Sequence, residues 1–108
     1  MRHFALVFDK IIMNYEDFKS ALSASSPPSE ISLYLKAMWY DAKNDWERSH
    51  NIVQDSDTKT AAWIHAYLHR KEGDPGNASY WYHKAGRKMP GYELEKEWEE
   101  IVTQLLVQ

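Results

Sequence analysis

The sequence predicts an all-α domain of about six helices. Apolar residues recur at spacings of three and four along most of the chain, and no stretch alternates polar and apolar residues as a strand does. Clusters of Pro, Gly, Asn and Ser separate the helical stretches. A chain of 108 residues has room for one domain with a modest core. We expect two stacked helical hairpins, with further helices covering the two ends of the stack.

The first twelve residues fit none of the later helical patterns. MRHFALVFDKII contains an apolar patch, but it carries Asp9 and Lys10 and lacks the small-residue cleavage site of a signal peptide. We expect residues 1–12 to be a poorly ordered extension of a single domain at 13–108. The sequence leaves open whether Met1 or Met13 is the native start.

Three helices are predicted in the first half of the domain. The first runs from Tyr15 to Ala24, and the segment SASSPPSE ends it. The two prolines of that segment are expected to open the second helix, because the fixed φ of proline suits a first helical turn. This helix runs to about Lys43. Asn44, with Glu47 three residues later, predicts the cap of a short third helix.

Three more helices are predicted in the second half. The fourth, Lys59 to about Glu72, has an apolar arc too broad for one neighbour, so we expect it to pack on both sides. A Gly-Asp-Pro-Gly turn leads to the fifth helix, which Gly86 closes. The last runs from Tyr92 to about Val107, and its early acidic residues are expected to point mostly outward. These residues are Glu93, Glu95, Glu97 and Glu99.

One block resembles a known repeat. The pattern G-D-x-x-x-A-x-x-W-Y-x-K-A, from Gly73 to Ala85, is similar to the second half of a tetratricopeptide or SEL-type repeat. An offset of 29 residues places a weaker copy earlier in the chain, with Ser49 on Ala78. The block also resembles segments of a family of small uncharacterised bacterial proteins. The resemblance implies tetratricopeptide-like hairpins, although His65 and His69 stand where that repeat has large apolar and aromatic residues.

The tetratricopeptide register implies an inner face that binds a partner. The residues that would line this face are Tyr34, Met38, Trp63, Tyr67 and Arg70. Aromatic residues beside an arginine are typical of a binding hot spot. The alternative is that these residues form the core between the hairpins, and Trp63 in particular is expected to be a core residue. The first hypothesis is therefore a small cytoplasmic helical-repeat module that binds a peptide or protein partner and has no catalysis of its own.

His65, His69 and Glu72 suggest a different function. Their spacings of four and three place them in one sector of the fourth helix. Two histidines four residues apart can share a metal ion, and a carboxylate one turn later can complete or orient such a site. HAYLH lacks the glutamate of a metalloprotease helix. The alternatives are a metal-binding or enzymatic protein, or a polar, partly buried helix edge with no function.

Composition narrows the remaining possibilities. The chain has no cysteine, so disulfides, thiolate metal sites and cysteine nucleophiles are excluded. A net charge of −3 without a basic stripe argues against a nucleic-acid or anionic-membrane surface. No cofactor is predicted, and a cytoplasmic location follows by default. A third hypothesis is a scaffold that self-associates through aromatic residues of the last helix.

Overall fold

The computed structural model describes residues 13–107 and shows an all-α fold. This confirms the predicted fold class of about six helices, and the described residues contain no strand. The predicted extension at residues 1–12 lies outside the described part of the chain. The helices are α1 (Tyr15–Ser20), α2 (Leu33–Ala42), α3 (Trp46–Val53), α4 (Lys59–Lys71), α5 (Pro75–Ala85) and α6 (Leu94–Leu106), and a 3₁₀ turn at Ala21–Ser23 follows α1.

The helices form two hairpins joined side by side. Helix α2 packs against α3, α4 packs against α5, and the contact between α3 and α4 joins the two pairs. Helix α6 lies across α2 and α4, the first helix of each hairpin, and α1 packs beside α6. Because α6 crosses both hairpins, it covers the face that the two first helices share. None of the helices within residues 13–107 has the length and apolarity needed to cross a membrane.

Three predicted helix starts are wrong, and the last helix begins at Leu94 rather than at Tyr92. Helix α2 begins at Leu33 rather than at the two prolines, because the Ser32 hydroxyl accepts a hydrogen bond from the Leu35 N–H at 3.1 Å. Asp45 rather than Asn44 caps α3, accepting from the Arg48 N–H at 3.1 Å. Asn44 has a φ of +66°, a left-handed conformation that asparagine tolerates and that ends the preceding helix.

Helix α4 is the centre of the core. Every residue from Ala61 to Leu68, together with His69, is buried. This confirms that the helix packs against more than one neighbour, because α2, α3, α5 and α6 all contact it. The turn into α5 places Gly73 at a φ of +87°, which glycine adopts without the steric cost of a side chain.

The outward orientation predicted for the acidic residues of α6 is wrong at one position. Glu93, Glu95 and Glu99 are exposed, but Glu97 is fully buried. Glu97 shares its helix face with Ile101, one turn later, and that face packs on the core. The number of acidic residues near the start of the helix says nothing about which face each one occupies.

Replacing Ser49 with alanine is expected to raise the free energy of unfolding by about 1 kcal/mol. Ser49 is fully buried on α3, and its hydroxyl has no hydrogen-bond partner within the described residues. The weak repeat pairs it with Ala78, which is also buried. Urea denaturation measures the change.

A Ser79→Ala variant is the matched control, because Ser79 is an exposed helical serine on α5. It measures the gain from the higher helix propensity of alanine alone. A Ser49→Ala protein that is less stable than the parent would show that the hydroxyl has a stabilising partner.

Candidate metal centre

Three histidines meet between the two hairpins. His65 and His69 are buried and lie one turn apart on α4, and His50 reaches them from α3. One potential ligand atom of each histidine lies within 4.8 Å of the others. The predicted pair therefore acquires a third imidazole from the neighbouring hairpin. Within residues 13–107, no fourth histidine, aspartate or glutamate joins this group.

One distance within this group is close to that in a zinc site. Nε2 of His50 and Nε2 of His65 are 2.9 Å apart, so one ring donates a hydrogen bond to the other. In a tetrahedral zinc site with Zn–N bonds of about 2.1 Å, two ligand nitrogens lie roughly 3.4 Å apart. A metal ion thus requires these two nitrogens to separate by only about half an ångström. Small rotations of the rings about their side-chain bonds supply such a movement.

Glu72 orients the third histidine. Its Oε2 accepts a hydrogen bond from Nδ1 of His69 at 2.6 Å. A carboxylate on one ring nitrogen fixes the tautomer and leaves the other nitrogen, Nε2, as a lone-pair donor for a metal. The sequence prediction put Glu72 in a set with His65 and His69. The structure places its carboxylate on Nδ1 of His69, and the potential ligand atoms of His69, Glu72 and Asp74 also lie within 4.8 Å of one another.

Two indoles enclose the histidines. The Trp81 ring stacks on the His65 ring with centroids 4.0 Å apart, and Trp46 stacks on His50 at 4.8 Å. The Trp46 indole N–H donates to the Leu68 carbonyl at 2.8 Å, which fixes the start of α3 against α4. Both tryptophans are half-buried and therefore limit the access of water to the cluster from their side. They also provide fluorescent groups in direct contact with two of the imidazole rings.

The histidine cluster favours neutral imidazoles. Burial, with the neighbouring His50 and His69 rings, lowers the pKa of His65 to about 4. Burial and then His69 also lower the pKa of His50, although Glu72 acts in the opposite direction. Neutral imidazole is the form that binds metal, because a proton occupies the coordinating lone pair of the charged form. The environment therefore keeps His50 and His65 ready to bind at neutral pH.

The metal-free protein is expected to lose stability as the pH falls from 6.5 toward 4. The unfolded chain binds a proton at His65 near pH 6.5, whereas the folded chain resists protonation until about pH 4. The free energy of unfolding should fall by about 2–3 kcal/mol over this range from His65 alone. Among the described residues, three charged groups lie beside the cluster: Glu72 and Asp74 are close to His69, and Lys84 lies over the Trp81 ring.

Urea denaturation in EDTA at several pH values measures this dependence. His65→Gln removes the titrating group, so its stability should fall less steeply with decreasing pH than that of the parent. The exposed His83 gives the matched control, since His83→Gln should keep the parent slope. Equal slopes for the parent and His65→Gln would contradict the expectation.

Four of the five predicted partner-binding residues lie under or beside α6, whereas the Tyr34 hydroxyl bonds to the Thr58 hydroxyl at 2.6 Å. Met38 is fully buried, and its carbonyl accepts from the Trp98 indole of α6 at 3.2 Å. Trp63 and Tyr67 are also buried, and Tyr34 is half-buried. In the structure this face contacts a helix of the same chain. A partner-binding role for Tyr34, Met38, Trp63, Tyr67 and Arg70 stays a prediction, and for the residues that α6 covers it requires that helix to move.

Two buried carboxylates, which the sequence did not reveal, hold that face together. Glu97 accepts hydrogen bonds from the Trp63 indole at 3.1 Å and from Arg70 at 2.8 Å. Asp41 accepts from the Tyr67 hydroxyl at 2.8 Å and from Lys71 at 2.9 Å. Each carboxylate therefore has both an aromatic donor and a cation. The polar groups of the predicted binding face are bonded within the domain.

The sequence analysis also missed His50, although one signal pointed to it. Trp46, His50 and Val53 are spaced at four and three, which places them on one face of α3. That face packs inward, and Val53 is fully buried. A histidine in the middle of an apolar stripe is a candidate for a buried polar contact. His50 is 15 residues from His65 and belongs to another predicted helix, so the spacing along the sequence did not indicate that the two side chains meet.

Comparisons of the chain with protein-family models, curated proteins and solved structures found no match. The resemblance to tetratricopeptide and SEL-type repeats therefore stays a prediction based on residues 73–85. The geometry of the histidine cluster is the main basis for assigning a function.

Proposed function

We propose that this protein is a helical module that binds one transition-metal ion through His50, His65 and His69. The observation that carries the proposal is the convergence of three imidazoles from two hairpins within 4.8 Å. Protonated imidazoles repel one another when they are clustered, and burial strengthens that penalty. A bound cation would turn the same crowding into a favourable arrangement, because each neutral ring offers it a lone pair.

The donor set selects the class of metal. Three imidazole nitrogens suit Zn²⁺, Cu²⁺ and Ni²⁺, whereas Ca²⁺ and Mg²⁺ prefer oxygen ligands. By the usual order of stability, Cu²⁺ should bind more tightly than Zn²⁺ in solution. Three protein ligands also leave a coordination position for water or another small ligand. Zn²⁺ is the ion we assign, since it accepts the irregular, four-coordinate geometry that the rings can provide.

The location of the ligands indicates what the ion does for the fold. His50 belongs to the first hairpin, and His65 and His69 belong to the second. An ion on all three therefore links the hairpins across the junction between α3 and α4. The metal would cross-link the two hairpins, and Glu72 would hold His69 in position.

Calorimetric titration of the metal-free protein with ZnCl₂ tests the proposal. We expect a single site in the parent protein and a loss of at least about tenfold in affinity when any one of the three histidines is replaced by alanine. Glu72→Gln should weaken binding by about tenfold, because it removes the group that orients His69. Titration with NiCl₂, followed by tryptophan fluorescence, should show quenching through Trp46 and Trp81.

His83→Ala is the matched control, because this histidine is exposed on α5 and should leave zinc affinity unchanged. Absence of zinc binding by the parent would overturn the proposal. The smaller set suggested by the sequence makes a different prediction: binding through His65, His69 and Glu72 would survive His50→Ala. Retention of full affinity in that variant would therefore reject the three-histidine site.

A further inference from the structure

A second candidate site lies on the opposite side of α4. A cleft of about 410 Å³ opens between α1, α2, α4 and α6. Tyr67 and Lys71 of α4 line it, and they follow His65 and His69 by two residues, about 200° around the helix. The volume is in the range of small-molecule pockets. This cleft is separate from the metal centre and does not depend on it.

The floor of the cleft is polar but already satisfied. Asp41 is buried, and its two carboxylate oxygens accept from Tyr67 and Lys71 respectively. Burial, followed by the charge of Asp41, raises the pKa of Tyr67, so its hydroxyl stays protonated as a donor. An incoming ammonium group would have to displace Lys71 to reach this carboxylate. Within the part of the chain that the structure describes, the floor therefore has no free carboxylate oxygen for a cationic ligand.

The mouth of the cleft carries donors that remain available. Lys71 uses one of its three N–H groups on Asp41, and its side chain is 32% exposed. The Lys19 ammonium lies 5.3 Å from the Tyr15 ring centroid and makes no hydrogen bond within the described residues. Leu94, the first residue of α6, also lines the cleft, and the N-terminus of that helix has no side-chain cap. Glu95 and Glu97 lie in the first turn of that helix and offset its dipole, so the two lysines are the cationic groups on which an anion would depend.

The walls are mainly apolar. Tyr15, Leu22, Leu94 and Trp98 line the space together with the two lysines. We propose that the cleft binds a small amphipathic carboxylate, with its aromatic or aliphatic body against these walls and its carboxylate between Lys19 and Lys71. Glu95 also lines the cleft, and its negative charge should weaken the binding of an anion that the two lysines favour.

Three compounds that differ only in their head group test the proposal: 3-phenylpropanoate, its amide and 3-phenylpropylamine. Binding to the metal-free protein in EDTA is measured by calorimetry and by NMR shifts of the Trp98 indole. The carboxylate should bind more tightly than the amide, and the amine should bind most weakly. Equal affinities would show a purely apolar cleft, and preference for the amine would show a cation site; either result overturns the proposal.

Two charge variants give a signed test. Lys19→Gln should weaken carboxylate binding by about threefold, and Glu95→Gln should strengthen it by a similar factor. Both positions are exposed, so both variants should keep the stability of the parent. Lys88→Gln is the matched control, since this exposed lysine is not among the residues that line the cleft. No change in either charge variant, or changes of the opposite sign, would reject the assignment of the carboxylate to Lys19 and Lys71.

Discussion

Replacing Glu97 with alanine is expected to lower the free energy of unfolding by about 3–5 kcal/mol. Glu97 is fully buried, and its carboxylate accepts from Trp63, Arg70 and the Tyr82 hydroxyl, the last at 2.7 Å. Removal of the carboxylate leaves the Arg70 charge without its main partner and two aromatic donors without an acceptor. A loss of this size is a large part of the stability of a small domain.

Burial also explains why the effect should be large. The Arg70 side chain is only 17% exposed, so water cannot fully replace the lost carboxylate. Arg70 also donates to the Tyr92 carbonyl just before α6, and this contact alone cannot balance its charge. The proton on Tyr82 is held firmly, because burial and the hydrogen bond to Glu97 raise its pKa.

Urea denaturation followed by circular dichroism measures the loss. Glu97→Gln keeps the shape of the side chain but not its charge, and it should lose less stability than Glu97→Ala. Glu99→Ala is the matched control: it lies two residues later on the same helix, is exposed, and should change stability by less than about 0.5 kcal/mol. A loss below 1 kcal/mol for Glu97→Ala would mean that α6 does not depend on this carboxylate.

The Glu97 cluster gives α6 a specific position. Apolar residues of α6 such as Ile101 and Val102 bury surface in any rotation that faces them inward, because apolar contacts are not directional. The hydrogen bonds to Glu97 fix one rotation and one height along α4. Trp98 adds a further hydrogen bond to the carbonyl of Met38 on α2. Helix α6 is thus bonded to both hairpins.

The sequence predicted the helices better than their ends. Periodic apolar residues and the Gly-Asp-Pro-Gly turn placed α4 and α5, because each signal acts through local backbone geometry. The prolines misled the placement of α2, since a proline permits a helix start without requiring one. Ser32 provides the side-chain acceptor that the first turn needs.

The histidine site was predicted in part for a similar reason. His65 and His69 share a face of one helix, so their spacing alone brought them together. His50 joins them only because α3 packs against α4, and that contact depends on the tertiary fold. The role of Glu97 was hidden in the same way: its partners Trp63, Arg70 and Tyr82 lie 15–34 residues away in sequence.

Zinc is expected to stabilise the protein by about 4 kcal/mol when its free concentration is about a thousand times the Kd. This value follows from binding to the folded chain alone, and binding by histidines of the unfolded chain would reduce it. The ligands come from α3 and α4, so the ion should oppose separation of the hairpins as well as unfolding of α4. Urea denaturation in a zinc buffer and in EDTA measures this increment, which is the difference between the two free energies of unfolding.

The His50→Ala variant separates two ways in which zinc could stabilise the chain. His65 and His69 lie on one helix, so an ion held by them alone would stabilise α4 without linking the hairpins. In that case the increment would persist in His50→Ala. A site shared between the hairpins predicts that the increment falls to about 2.7 kcal/mol or less in His50→Ala, because a loss of at least tenfold in affinity leaves the same zinc concentration at no more than about a hundred times the Kd. His83→Ala should keep the full increment, since its exposed imidazole lies outside the cluster. Zinc would then act as a third connection between the hairpins, beside the packing of α3 on α4 and the hydrogen bonds of α6.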